Sequence, residues 1–268
     1  HQKERRTGMS QIKTDVLLIG AGSGGLSVAA GAVQMGADVT LLEGHKMGGD
    51  CLNYGCVPSK ALLAAGKMAF QYAHSDDYGV DAKKPAVDYA AAKDHVHDVI
   101  ATIAPVDSEE RVAGLGVRGI REWGVFTGPN TVKAGDTTIK ARRIVIATGS
   151  RPFVPPIDGL DSVPYLTNET IFDLREQPDH LLIVGGGPIG MEMAQAHLRL
   201  GSKVTVIEGA KALGKDDPEA AEIVIDRLRE EGLTLLEGAQ VAGVSGGDGN
   251  VTVTTQDGQT ITGSHLLM

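Results

Sequence analysis

Residues 15–25 of the chain read DVLLIGAGSGG, an apolar run followed by a glycine-rich turn. The run 15–19 predicts a short buried parallel strand, and the small residues of 26–35 predict a helix. Between them the glycines follow the pattern G-x-G-x-x-G, at Gly20, Gly22 and Gly25. In this pattern the first glycine allows the turn, the second lets the backbone approach a pyrophosphate, and the third lets helix and strand pack closely. The stretch therefore predicts a dinucleotide-binding unit.

An acidic residue completes this first unit. A second apolar strand is expected at 38–42, and it ends at Glu43, 23 positions after Gly20. A carboxylate at this place can accept hydrogen bonds from ribose hydroxyls. The glycines thus stand in the context that the fingerprint requires, because a strand precedes them and a strand with an acidic end follows the helix.

The same unit occurs a second time. Residues 181–184 predict a strand, a helix is expected up to about Leu200, and a strand at 203–207 ends at Glu208, again 23 positions after the first glycine. The glycines of this second fingerprint are Gly185, Gly187 and Gly190. Two such units imply two bound nucleotides.

Between the two units lies the stretch GGDCLNYGCVPSK, residues 48–60, which contains both cysteines of the chain. The residues after Cys56 predict a helix with proline in its first turn. Cys56 is expected to form a thiolate more easily than at the ordinary pKa of about 8.5, because free N–H groups and the helix dipole favour an anion. Cys51 is expected in a glycine-flanked loop, where an attacking thiol can reach a substrate. A pair this local is suited to opening and closing, so we expect that Cys51 and Cys56 can form a redox disulfide.

Two other interpretations of the cysteines remain open. They could be buried small hydrophobic residues, or half of a metal site. Zinc-binding cysteines usually lie closer together in sequence, and no second Cys or His pair follows nearby, so we expect no metal site.

The composition narrows the class of protein. A length of 268 residues suggests two domains, and a net charge of −9 without a basic block beyond the N-terminus argues against nucleic acid as a partner. No apolar run approaches membrane-spanning length, so no membrane partner is expected. The polar residues 1–8 show no secretory signal and predict an extension or a disordered tail. A cytoplasmic protein with redox-active cysteines fits these observations.

The rest of the chain predicts supporting elements. Residues 87–112 are expected to be helical, with an interruption at Pro105. Short alternating segments over 117–141 predict an antiparallel meander, and further strands are expected over 233–262. The last residues, 265–268, begin an apolar strand, so the chain is expected to be cut short.

From Thr14 to Met268 the chain resembles the flavoprotein disulfide reductases. These are the class I pyridine nucleotide-disulfide oxidoreductases, which include dihydrolipoamide dehydrogenase, glutathione reductase and mercuric reductase. The pattern G-G-x-C-x-N-x-G-C-x-P-S-K at 48–60 and the two fingerprints carry the resemblance. It implies FAD in the first unit and a nicotinamide cofactor, NAD, in the second. It further implies that hydride passes from nicotinamide to flavin, and electrons from flavin to the disulfide, with Cys56 as the flavin-proximal thiolate and Cys51 as the exchange thiol.

Sequence and resemblance together predict the fold class and the domains. The fold is expected to be α/β, with two Rossmann-like dinucleotide-binding units for FAD and NAD(P), an antiparallel β-meander inserted in each, and no C-terminal dimerisation domain. The predicted domains are an N-terminal extension at 1–13, an FAD-binding domain with the redox disulfide at 14–157, and an NAD-binding domain at 158–268 that ends at the return strand.

Further site residues follow from the resemblance. Lys60 is expected near the flavin ring and paired with Glu192, and both join the cysteines as catalytic residues. For FAD, the resemblance implies contacts from Gly20, Gly22, Gly25, Glu43, Gly49, Lys60, Gly124 at the adenine, Thr148 and Gly149. For NAD, it implies contacts from Gly185, Gly187, Gly190, Glu208 and Val241.

The chain departs from the family's pattern in two places. Asp50 occupies a position where many members carry threonine, and a carboxylate there would repel a nearby pyrophosphate. Family members also continue with a second FAD motif and an interface domain that supplies a His–Glu pair across a homodimer. We therefore expect little activity from this chain alone, and a homodimer for the full-length parent.

The leading functional hypothesis is a FAD-dependent oxidoreductase similar to dihydrolipoamide dehydrogenase. It would pass electrons from NADH through FAD to the Cys51–Cys56 disulfide and on to a small-molecule disulfide, a dithiol or a related acceptor. NADH is expected over NADPH, because Glu208 would repel a 2′-phosphate and the small residues after it could not neutralise one. The alternatives are a mercuric reductase-like enzyme and a nucleotide-binding fragment without turnover.

Overall fold

The structure, a computed structural model, describes residues 10–81, 83 and 85–268. The α-helices in this part of the chain are α1 Ser23–Gln34, α2 Gly49–Asn53, α3 Cys56–Ala73, α4 Tyr89–Ile103, α5 Glu109–Gly114, α6 Pro188–Arg199 and α7 Pro218–Glu230. The strands are β1 Ser10–Ile19, β2 Val39–Leu42, β3 Arg118–Ile120, β4 Gly124–Gly128, β5 Thr131–Ala134, β6 Thr137–Ile146, β7 His180–Val184, β8 Lys203–Ile207, β9 Thr234–Leu236, β10 Val241–Gly247, β11 Asn250–Thr255, β12 Thr260–Gly263 and β13 His265–Leu267. The predicted α/β class is confirmed.

The described residues form two compact units. Among the described residues, unit 1 contains 10–56 together with Ile100–Arg151, and unit 2 contains 57–81, 83 and 85–99 together with Pro152–Met268. The sequence places one boundary after residue 157 and assigns 57–99 to the first domain. In the structure this segment belongs to unit 2 through long-range contacts of helix α4, which chain order alone does not reveal.

The N-terminal region also differs from the expected boundary. Of the predicted extension 1–13, residues 1–9 lie outside the described residues. Ser10 to Lys13 form the first part of β1 and pair in parallel with β6, from Thr137 to Lys140. The strand is therefore longer than the apolar run 15–19 on which its prediction rested.

Unit 1 is built on a six-stranded sheet with the order β3-β2-β1-β6-β5-β4. Strand β1 runs parallel to β2 and β6, while β4, β5 and β6 are antiparallel as expected for the meander. The prediction was wrong for β3, which runs parallel to β2 and lies at the other edge of the sheet. A strand of three residues does not show its direction in sequence, and a parallel neighbour needs the long helical connection that precedes β3 here.

Both faces of this sheet are covered. Leu18 of β1 packs in a buried cluster with Ala29 of α1, and its neighbour Leu17 packs on the opposite side with Val132 and Ile139 of the meander. Successive side chains of a strand point to opposite faces. The uninterrupted apolar run of β1 is thus explained by burial on both sides.

Unit 2 contains a parallel sheet with the order β13-β7-β8-β9 and a separate antiparallel sheet β10-β11-β12. The parallel order confirms the second strand–helix–strand repeat, and the antiparallel sheet confirms the second meander. The strand expected at 265–268 forms as β13, and the structure shows that it pairs in parallel with β7. Within unit 1, the expected interruption at Pro105 is a short 3₁₀ turn, Ala104–Asp107, between α4 and α5.

None of the helices in the described ranges combines the length and the apolar character that crossing a membrane would require.

A fully buried lysine lies inside unit 2. The Lys93 ammonium of α4 donates a hydrogen bond to the Ile171 carbonyl oxygen at 2.9 Å and lies 5.0 Å from the ring centre of Tyr89 and 5.7 Å from that of Phe172. Burial lowers the pKa of Lys93 to about 7, although the nearby Asp173 carboxylate opposes the shift. A charged amine is costly in such surroundings unless it is paired.

We expect the free energy of unfolding to rise with pH between about 7 and about 9, above which the raised pKa of the Cys51 thiol opposes the rise. In this window the unfolded chain binds a proton at Lys93 that the folded chain has lost, so each pH unit adds up to about 1.4 kcal/mol. Denaturant unfolding at several pH values measures the slope. Lys93→Met should remove the rise, whereas Lys67→Met, at an exposed position of α3, should keep it. An unchanged slope in Lys93→Met would contradict this account.

Candidate functional site

The first and third glycines of fingerprint one are required by the backbone itself. Gly20 has φ +109°, and a Cβ on it would lie 2.2 Å from the carbonyl oxygen of Ala147. A Cβ on Gly25 would lie 1.8 Å from the carbonyl oxygen of Gly20. No side chain fits at these distances, so the turn and the close packing of α1 on β1 occur as the sequence predicted.

The second fingerprint repeats this geometry in unit 2. Gly185 has φ +114°, a conformation that favours glycine. A Cβ on Gly190 would lie 2.1 Å from the carbonyl oxygen of Gly185. The third glycine of each fingerprint therefore makes the same backbone contact. A Cβ on Gly185, unlike one on Gly20, would meet none of the described atoms within 4 Å.

The second glycine of each fingerprint has no such structural reason. Gly22 and Gly187 have φ −78° and −72°, which any residue adopts. Among the described atoms, a Cβ on Gly187 would meet nothing within 4 Å, and one on Gly22 would meet only Gly49, at an ordinary 3.7 Å. These residues precede α1 and α6, and no described side chain caps either helix. Open space over free helix N–H groups fits a pyrophosphate that approaches the backbone closely.

The two acidic residues occupy equivalent places. The Glu43 carboxylate accepts hydrogen bonds from the backbone N–H of Ala21 at 2.7 Å and of His45 at 2.6 Å. The Glu208 carboxylate accepts from Gly186 at 2.7 Å and from Ala210 at 2.8 Å. A carboxylate oxygen has two lone pairs, so both groups retain capacity for ribose hydroxyls while the backbone fixes their position.

The cysteine-bearing segment docks on the first fingerprint within unit 1. The backbone N–H of Gly48 donates to the carbonyl oxygen of Ala21 at 2.9 Å. Gly49 has φ +57°, and a Cβ on it would lie 2.7 Å from the Cα of Gly22. This contact fixes the start of α2, with the exposed Asp50 in its first turn, beside the glycine-rich turn.

The structure corrects the surroundings of Cys51. The prediction of a glycine-flanked loop was wrong, because Cys51 lies in the short helix α2 and is half-buried, whereas Cys56 is exposed as the first residue of α3. Both are thiols here, and Cys51 is hydrogen-bonded to Cys56. Burial, and then the interactions with Cys56, raise the pKa of the Cys51 thiol to about 11. Cys51 therefore keeps its proton at neutral pH.

Lys60 and Glu192 are brought together within unit 2. The Lys60 ammonium lies 2.6 Å from the Glu192 carboxylate, with 62% and 31% of the side chains exposed. Lys60 also follows Cys56 by four residues in α3, a spacing that places both on one face of the helix. An exposed ion pair contributes about 1 kcal/mol or less to stability, so the pair does little to hold the fold.

The other residues expected at the nucleotides lie at strand ends. Gly124 opens β4, and a Cβ there would lie 2.8 Å from Leu42 and 2.9 Å from Val132, so side-chain packing also requires glycine. Thr148 and Gly149 follow β6 and are exposed. Val241 opens β10 and packs on the core of unit 2.

Two features of the structure were missed in the sequence. Trp123, the single tryptophan, packs on Gly44, the residue after Glu43, and its place directly before Gly124 was an available signal. The burial of Lys93 had no signal, because its contact at Ile171 is 78 positions away in the chain. Among the described residues no group of three or more His, Cys, Asp or Glu side chains could hold a metal ion.

Comparison with known proteins places this site in a family. The family of pyridine nucleotide-disulphide oxidoreductases matches residues 14–268. This chain belongs to that family.

Individual relatives agree with the assignment. The chain is 37% identical to mercuric reductase of Streptomyces lividans over 263 residues, which cover 95% of this chain and 56% of the relative. It is 35% identical to dihydrolipoyl dehydrogenase of Geobacillus stearothermophilus over 257 residues, 94% of this chain and 54% of the relative. The solved structure of the HOCl-induced flavoprotein disulfide reductase RclA from Escherichia coli is similar with a TM-score of 0.80 and 27% identity, over 94% of this chain and 55% of that one. The chain spans about half the length of these relatives.

We expect alkylation of the reduced, nucleotide-free chain to reach Cys56 before Cys51. Cys56 is exposed, while Cys51 is half-buried and its thiol has a pKa raised to about 11, so little of the reactive thiolate is present near neutral pH. Peptide mapping after short exposure to iodoacetamide measures the order, and the Cys51 rate should climb up to about pH 11. Faster labelling of Cys51 than of Cys56 at pH 7 would contradict the description of Cys51 as the half-buried thiol that keeps its proton.

Proposed function

We propose that unit 1 binds FAD, that unit 2 binds a nicotinamide nucleotide, and that electrons pass from NADH through FAD to a Cys51–Cys56 disulfide. The final acceptor is a small-molecule disulfide or a related compound, as for a dihydrolipoyl dehydrogenase. The observation that carries the proposal is the docking of Gly48 and Gly49 on Ala21 and Gly22. This docking holds the start of α2, which carries Cys51, next to a glycine-rich turn whose open backbone suits a dinucleotide pyrophosphate, and it thereby supports the proposal.

The residues of unit 1 fit FAD. The open backbone at Gly22 and the start of α1 would hold its pyrophosphate, and the Glu43 carboxylate would hold its adenosine ribose. When bound, FAD supplies the ability to accept a hydride from NADH and to deliver two electrons to a disulfide. Asp50 lies in the first turn of α2, and the pyrophosphate would lie at the start of α1. The dipole at each helix start favours a negative charge, which offsets part of the repulsion between the two groups.

The cysteines carry the exchange chemistry. Reduction of the Cys51–Cys56 disulfide takes two electrons and two protons and breaks the S–S bond. The protonated Cys51 must then lose its proton before it attacks a substrate disulfide. That attack forms a mixed disulfide and releases one substrate thiolate. Cys56 then loses its own proton and attacks the Cys51 sulfur, which restores the intramolecular bond and releases the second substrate thiolate, and the two substrate thiolates take up the two protons.

Lys60 and Glu192 support the thiolate side of the pair. Lys60 lies one helical turn after Cys56, so its positive charge favours a negative charge at the start of α3. The Glu192 carboxylate at 2.6 Å restrains the Lys60 ammonium. Both residues are therefore proposed to position charge rather than to react.

The test is a thiol count after reduction by NADH. In the oxidised, FAD-loaded chain kept free of oxygen, one equivalent of NADH should convert both cysteines to thiols that react with a disulfide reagent. Cys51→Ser and Cys56→Ser should each give no increase, because one cysteine cannot form the internal disulfide. NADH oxidation without new thiols in the unmodified chain would overturn the proposal and leave nucleotide binding without turnover.

A mercuric reductase-like function is the second candidate, because a mercuric reductase at 37% identity is as similar to this chain as the dihydrolipoyl dehydrogenases at 35% and 38%. The acceptor separates the two. In the same experiment, lipoamide should reoxidise the thiols for the first function, and Hg²⁺ should be reduced to the metal for the second.

For the whole protein we propose a homodimer with a cytoplasmic location, on the strength of the resemblance to the family.

We expect unit 2 to bind NADH about tenfold or more tightly than NADPH. The Glu208 carboxylate, fixed by Gly186 and Ala210, suits a ribose 2′-hydroxyl and repels a 2′-phosphate. Isothermal titration of both nucleotides into the FAD-loaded chain measures the ratio. Glu208→Gln should reduce the ratio of NADPH to NADH dissociation constants. Glu222→Gln, which removes an exposed charge on α7, should leave this ratio unchanged. Tighter binding of NADPH than of NADH by the unmodified chain would show that Glu208 does not select between the two nucleotides.

A further inference from the structure

Trp123 has an unusual position for a tryptophan. It is the only tryptophan of the chain, and 66% of its surface is exposed. Its indole ring packs on the backbone of Gly44, where a Cβ would lie 2.4 Å from Cδ2 and 2.6 Å from Cε2. Gly44 has no positive φ that would require glycine. The glycine therefore serves to admit the ring.

This contact lies beside the carboxylate that is proposed to hold ribose. Gly44 separates Glu43 from His45, and the Glu43 carboxylate accepts from the backbone N–H of His45 on one side and of Ala21 on the other. The Ala21 side leads to the glycine-rich turn and its pyrophosphate. In an adenosine the base and the 5′-phosphate leave the ribose at opposite ends. A base whose ribose rests on Glu43 would then extend away from Ala21, towards Gly44 and Trp123.

Trp123 meets the physical requirements of a partner for the base. One region of the indole is covered by Gly44, and the rest is open to a second flat group. A large exposed aromatic surface is unfavourable in water, and stacking on a base recovers it. The following residue, Gly124, opens β4 without a side chain, so nothing from that position blocks access to the ring.

We propose that Trp123 forms an aromatic wall of the adenosine subsite in unit 1 and packs on the adenine of the bound nucleotide. The inference rests on the proposed function, because it assumes an adenine dinucleotide at the first fingerprint. It assigns to Trp123 a positioning role for the adenosine half of FAD, and no role in electron transfer.

The single tryptophan makes the proposal directly measurable. ADP, which contains the adenosine and the pyrophosphate but no flavin, is titrated into the nucleotide-free chain while tryptophan emission is recorded. Saturable quenching is expected, because Trp123 is the only tryptophan and selective excitation of tryptophan therefore reports on this residue alone. Riboflavin, which lacks adenine, serves as the negative control and should give no saturable change.

Variants measure the contribution of the ring to binding. Trp123→Ala should weaken FAD binding about tenfold, as expected for the loss of one base–aromatic stack, and Trp123→Phe should recover most of the affinity. FAD binding is read from the quenching of flavin emission. Val125→Ala is the matched control, since Val125 lies in β4 two residues after Trp123 with 65% of its surface exposed, and this variant should bind FAD like the unmodified chain.

The possible outcomes separate the inference from the function on which it rests. If the unmodified chain binds FAD but ADP leaves the tryptophan emission unchanged, the inference is overturned and the proposed function stands. The same conclusion follows if Trp123→Ala folds and binds FAD as tightly as the unmodified chain. If the unmodified chain does not bind FAD, the proposed function fails and the inference fails with it.

Discussion

At the end of β1, four backbone segments of unit 1 meet at distances that no side chain could enter. Gly20 approaches Ala147, Gly25 approaches the carbonyl oxygen of Gly20, and Gly49 approaches Gly22. These contacts fix the turn, the start of α1 and the entry to the cysteine-bearing helix α2 relative to one another. The position of Cys51 and the open space above Gly22 both depend on this meeting of glycines, because one added methyl group would force the segments apart.

Unit 2 uses the same construction with a different continuation. The carbonyl oxygen of the second fingerprint residue accepts from a returning loop in both units, at Ala21 from Gly48 and at Gly186 from Leu213, each at 2.9 Å. After Gly48 the chain continues into the helices that carry the cysteines. After Leu213 it continues into the amphipathic helix α7, which has no cysteine. One backbone geometry is thus followed by the two cysteines in unit 1 and by a helix without cysteine in unit 2.

The charges of the chain divide into those that are exposed and those that are buried. The Lys60–Glu192 pair is exposed and contributes little to stability. Lys93 is buried, and because burial lowers its pKa to about 7, protonation of its amine lowers the free energy of unfolding near neutral pH. Cys51 lies between these cases, since partial burial raises its pKa while its place in α2 keeps it near the surface.

The sequence by itself determined the features that depend on neighbouring residues. The apolar runs, the glycine spacings, Glu43 and Glu208, and the strand at the end of the chain were all predicted, because strand and turn preferences are set over a few adjacent positions. The tertiary structure decided the direction of β3, the membership of 57–99 in unit 2, the helical surroundings of Cys51 and the packing of Trp123 on Gly44. It also decided the shifted pKa values of Cys51 and Lys93. These depend on which distant segments exclude water from a group, and a linear pattern does not contain that information.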